Sequence, residues 1–197
     1  IVNAHYVIEQ SFLEEGFPWF SKAFFWAASP LYYGWLRTAD PWKILLKQMD
    51  ALERSVWETN RWVFAKGALK VRICRRYADV LGLEDNEIGM VHAIESAHCL
   101  GEPLEDQCRE DFWEQTRERL RILKDRGVSM ITLSHFNDNP FSPQTDGTEI
   151  IARRKGGRID VVPDKSLAQM KRASWKWGDP MRFSREFVQE LFDLGIL

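Results

Sequence analysis

Gly89-Met-Val-His-Ala-Ile-Glu-Ser-Ala-His98 and Val128-Ser-Met-Ile-Thr-Leu-Ser-His135 decide the fold. Each is a short apolar run that ends in side chains able to do chemistry: Glu95 and His98 in the first, His135 in the second. Between them Phe112, Trp113, Thr116, Leu120 and Leu123 recur at helical spacing. That spacing predicts an amphipathic helix from about Leu104 to Arg126, with Gly127 as its C-cap. Glu105, Asp106, Glu110 and Asp111 suit its N-terminal end through the helix dipole. Strand, helix, strand is a βαβ unit, and in parallel α/β folds ligands bind at the carboxyl ends of the strands. The expectation is an α/β domain whose site lies at that edge.

Upstream, Ile1 to Glu9 is apolar and β-branched and reads as a strand. His5 within it reads as a packed histidine, because Val7, two positions on, cannot share a metal with it. Residues 11 to 39 are dense in aromatics, with Phe17, Trp19, Phe20, Trp26, Tyr32 and Trp35 among them. Short helices and a lid-like excursion are expected there. Asp40-Pro41 carries an N-cap followed by proline in the first turn. Ile44, Leu45, Leu52, Val56 and Trp57 then predict a helix to about Trp62. Leu69 to Cys74 alternates apolar and basic residues and predicts a strand. Arg75 to Leu83 reads as a short helix, and Asp85-Asn86 as a turn.

Downstream, Val128 to Leu133 is the next strand. The chain from Phe136 to about Trp177 is rich in Asn, Pro, Asp and Gly and reads as one long irregular loop. Asp179-Pro180 repeats the helix-start signal. Phe183, Phe187, Val188, Leu191 and Leu194 predict a final helix, with Gly195 as C-cap. Ile196-Leu197 reads as the opening of another strand.

At 197 residues the chain is long enough for a single domain, spanning 1–197, with a real core. The formal charge of −2 implies no general attraction to nucleic acid or anionic lipid. Cys74, Cys99 and Cys108 form neither a C-x-x-C pair nor an even set, which argues against a disulfide framework and a cysteine zinc site. No apolar run reaches membrane-spanning length, since Lys22 and two prolines interrupt Phe17 to Leu36. The absence of a signal-peptide pattern favours a cytoplasmic location. The aromatics of 17–36 would suit an interface between copies in a homo-oligomer.

A carboxylate at a strand end can serve as general base, metal ligand or salt-bridge partner. Glu95 leaves its strand at the edge, and His98, three residues on, is near enough to share the site or steady its ligands. His135 ends the adjacent strand and is followed by Asn137, Asp138 and Asn139. One Glu and two His converging there make a hydrolase edge. The plainer alternative is a Glu95 paired with an arginine, beside histidines satisfied by hydrogen bonds.

His92-Ala-Ile-Glu-Ser-Ala-His98, then a helix, then Leu123-Lys-Asp-Arg-Gly-Val-Ser-Met-Ile-Thr-Leu-Ser-His135-Phe-Asn137, resembles the membrane (renal) dipeptidase family. Met181 to Leu197 resembles the stretch that leads into a later strand of those enzymes. The resemblance runs from about Gly89 to His135 and again from about Asp179 to Leu197; it is weak before Asp85. It implies a TIM-barrel metallopeptidase of the amidohydrolase kind, with two zinc ions, cleaving a dipeptide or other small amide. Glu95 then matches the carboxylate that bridges the metals. His135 matches the histidine that contacts the substrate carbonyl and stabilises the tetrahedral intermediate, with Asn137 beside it for substrate binding. The metals would lower the pKa of a bridging water and polarise the scissile carbonyl.

Two departures qualify it. The family's glycines after the glutamate are Ser96 and Ala97 here, and the family's opening His-x-Asp ligands are absent. A whole barrel needs about 250 residues. The expectation is therefore a partial (β/α)8 barrel, about strands 2 to 4 with their helices, belonging to a longer catalytic domain and inactive alone. The alternative from another class is a dipeptidase-fold protein without catalysis, used for binding or assembly.

Overall fold

The computed structural model describes residues 1–6, 27, 34, 40–63, 69–101, 107–133, 139–142, 152–155, 158–161 and 180–196. The elements are β1 (Val2–Tyr6), α1 (Pro41–Val63), β2 (Lys70–Ile73), α2 (Tyr77–Leu81), β3 (Glu87–Glu95), α3 (Arg109–Asp125), β4 (Val128–Ile131), β5 (Ala152–Lys155), β6 (Arg158–Val161) and α4 (Pro180–Leu194). A 3-10 turn, Ala97–Leu100, follows β3. The fold is α/β, with a small open parallel sheet centred on β3. The aromatic stretch 17–36, apart from residues 27 and 34, lies outside the described residues.

Backbone bonds assign the edges of β3. Ile1 donates to Gly89 O and the Val91 amide donates to Ile1 O, so β1 takes the edge that odd-numbered residues face. Cys74 donates to Met90 O and Thr132 to Ile94 O, so β2 and then β4 share the opposite edge. Between His92 and Ala93 the partner on β4 steps from Val128 to Met130, leaving Ser129 as the extra residue of a bulge.

Side chains alternate across a strand, so β3 has two faces. His92 and Ile94 look toward α1. Ile94 joins Ile44, Leu45 and Met49 of α1, Phe112, Leu120 and Leu123 of α3, and Phe187 and Leu191 of α4 in one core. Phe141 stacks on Phe187 at 4.2 Å and on Phe112 at 5.9 Å, sealing the end of this core. Arg109–Glu186 and Arg117–Glu190 tie α3 to α4 along their rims. The other face carries Val91, Ala93 and Glu95, beside Val2 and Ala4 of β1; Val2 is 58% exposed there.

Local signals formed as expected at most helix ends. Asp40 Oδ1 accepts from Trp42 N at 2.9 Å and caps α1. Asp79 accepts from the Arg75 and Arg76 amides and starts α2. Gly127, at φ 84, follows the last residues of α3 against the Arg75 backbone, where a Cβ would meet Arg75 Cα at 2.4 Å.

Four expectations need correction. The long helix begins at Arg109 rather than near Leu104; Cys108 is its N-cap, with Sγ accepting from Asp111 N. The strand after Gly127 stops at Ile131, two residues short of Leu133, because Thr132 and Leu133 turn to bond the chain after β3. The stretch from Phe136 to Trp177 is not wholly irregular: β5 and β6 form an antiparallel pair, with Lys155 opposite Arg158. Val188 is 47% exposed and faces away from the core that takes Phe187 and Leu191. The strand expected to open at Ile196-Leu197 reaches Leu197, outside the described residues. Gly195, at φ 65, donates to Phe192 O, and Ile196 donates to Leu191 O, which makes a Schellman cap. Ile196 is buried by it, at 1% exposure.

Candidate functional site

Glu95 is the last residue of β3, half-buried, at the carboxyl edge and on the face turned away from α1. Alanines flank it on that face, with Ala93 two residues before and Ala4 two before its β1 partner Tyr6. Because β3 and β4 run parallel, the chain after β4 leaves the sheet at the same edge. His135, Asn137 and Asp138 lie outside the described residues. Asn139 does not face this edge as a spare polar group. It is buried, donates to Leu133 O at 2.8 Å, and accepts from the Phe141 and Ser142 amides, folding the loop back on the strand end.

The turn after Glu95 is held tightly. Ser96 has φ 78, a left-handed value that costs a side-chain-bearing residue about 1–3 kcal/mol. Neighbouring bonds keep it there. The Ser96 amide donates to Thr132 Oγ1 at 2.8 Å, and Ala97 donates to Leu133 O. Ser96 Oγ stands 2.7 Å from His98 Nδ1. The Cys99 thiol donates to Ser96 O, and burial pushes that thiol up to about 12, so it stays protonated as a donor. His98 is therefore a buried lock on the turn behind Glu95, at 4% exposure. Beneath it Arg119 bonds Leu100 O, pairs with Asp40 and lies over the Trp42 ring, tying the turn to the start of α1.

On the opposite face lies a polar cluster that sequence reading missed. His5 Nε2 and His92 Nδ1 are 2.7 Å apart, both enclosed. His92 Nε2 faces Glu53 Oε1 at 3.4 Å, and Glu53 takes Arg75 and Arg126 at 3.1 and 2.9 Å. Arg126 also pairs with Asp50 at 2.8 Å. Burial lowers His92 below its ordinary value, against the opposing pull of Glu53, so its contact with Glu53 is between a neutral ring and a carboxylate. Burial alone would raise Glu53, but Arg126, with Arg75 and His92, holds its carboxyl below the ordinary range. The reading of His5 as a packed strand histidine is met, with a partner 87 residues away.

Among the described residues, no three His, Cys, Asp or Glu side chains are grouped to hold a metal ion, and no helix is long and apolar enough to cross a membrane. All three cysteines are free; Cys74 and Cys99 are buried and Cys108 is exposed. No family model, no curated protein and no solved structure matches the chain.

Proposed function

We propose that the chain is part of a metal-dependent hydrolase of the membrane dipeptidase kind, acting on a dipeptide or other small amide. In this reading Glu95 is the carboxylate that bridges two zinc ions, and His135 and Asn137 meet the substrate. One observation carries it. Glu95 stands at the carboxyl end of a parallel strand, on the face away from the helices, and the next residue has the glycine-like φ of 78. The resembled enzymes have glycine at that position. Ser96 thus supports the turn that glycine serves there, with side-chain bonds offsetting the strain.

The described residues do not build a metal centre by themselves. Glu95 is one carboxylate, and the reading requires ligands from outside those residues. Its first test is elemental mass spectrometry of the purified protein, with amide hydrolysis assayed alongside. About two zinc ions per chain, with zinc and hydrolysis both lost in Glu95→Gln, is the expected result for a two-metal site. A metal-free, well-folded full-length protein, or a full-length Glu95→Gln variant of unchanged activity, would sink the reading. The non-catalytic alternative, motivated by Ser96 and Ala97 in place of glycines and by the aromatic stretch 17–36, predicts no metal and a tolerated Glu95→Gln.

A further inference from the structure

The cluster under the sheet does work that hydrolysis at Glu95 would not use. His5 and His92 are 5% and 0% exposed, and their facing nitrogens are 2.7 Å apart. Only one proton fits between nitrogens at that distance. Either ring can donate, and the other then accepts. Charging both rings would put a hydrogen on each facing nitrogen and turn the bond into a collision.

The surroundings do not favour added charge. From α1 come Glu53 and Asp50; from the end of α3, Arg126; from the segment after β2, Arg75; from β1, the neutral Asn3 amide at 3.4 Å from His5 Nε2. Glu53 is already taken by both arginines, and Asp50 by Arg126. A proton arriving on His5 meets a second ring and an arginine before it meets a carboxylate.

We propose that the His5–His92 pair is an acid-operated latch, in which protonation of both rings breaks the bond between them and frees β1 from β3 and α1. The register gives release a consequence: Tyr6 of β1 pairs with Glu95, so the strand bearing Glu95 would lose its neighbour on that edge.

The direction follows from where the proton is preferred. Burial, then His92 and Arg126, hold His5 near 4 in the fold, against 6.5 for an ordinary histidine. The unfolded chain therefore takes up protons first as pH falls. Stability is full above about pH 6.5 and is lost as pH drops from there toward about 4.

The test is imidazole proton NMR on the full chain between about pH 7.5 and about pH 3, with amide exchange of β1 followed in parallel. The expected result is one joint step for both rings, below the ordinary histidine value, with β1 protection falling roughly tenfold or more in that step. Separate titrations near the ordinary value, or protection that persists through the step, would overturn the latch. His5→Gln retains a donor toward His92 but cannot charge. It should hold β1 protection further into acid, and loss at the wild-type pH would equally overturn the proposal. If that variant does not fold, the wild-type titration decides alone.

Discussion

The two faces of β3 are built on opposite plans. Toward α1, every position is filled: Ile94 is sunk in the core, and His92 is enclosed between His5 and Glu53. On the other face Ala4 is exposed, Ala93 is buried, and Glu95 stands half-buried at the strand's end. One face joins a histidine pair to the helical core. The other ends in a carboxylate, on a backbone turn that is strained and braced. The lesson is that the strand's burial average says little; the α1 face alone carries both the apolar core and the histidine pair.

The contrast can be broken by substitution. Ile94→Ala should cost about 3 kcal/mol in urea unfolding, the usual loss for emptying a packed aliphatic site. A cost near zero would mean the α1 face is not the packed one. Ser96 sharpens the comparison at the junction of the faces. Ser96→Ala keeps the left-handed φ and loses the bond to His98, so a loss of roughly 1–2 kcal/mol is expected. Ser96→Gly loses the same bond but relieves the backbone, and its unfolding midpoint should stay within about 0.5 kcal/mol of wild type. If alanine were the better tolerated of the two, the φ at Ser96 would not be a source of strain. The smallest effect is expected at Glu95→Gln, which should change stability by under about 0.5 kcal/mol while changing metal content. A stability loss as large as that of Ile94→Ala would make Glu95 a structural residue.

Much of this arrangement was legible in the chain, and the reasons are local. Asp40-Pro41, Gly127 and Gly195 mark helix ends by chemistry confined to a few residues, and the structure uses each where expected. Glu95 at a strand end follows from the apolar run before it. What escaped depends on distant or competing partners. His5 and His92 are ordinary strand residues until the sheet brings them together across 87 positions. Ile196 caps α4 in a Schellman motif because an apolar residue after the helix-ending glycine can fold back onto the last turn. The β5–β6 pair was hidden by the polar, Gly- and Asp-rich composition around it, which suits a loop as well as a short strand pair.

The bulge in β4 has a consequence for how this segment can vary. Ser129 shifts the strand by one residue, and that step sets the phase in which Ile131 is buried and the Thr132 hydroxyl meets the Ser96 amide. Gly127, held against the Arg75 backbone, anchors the strand's beginning. From Gly127 to Thr132 the chain is therefore counted like a reading frame. Its letters can change, but adding or dropping one would exchange inside for outside and leave the turn behind Glu95 without its brace.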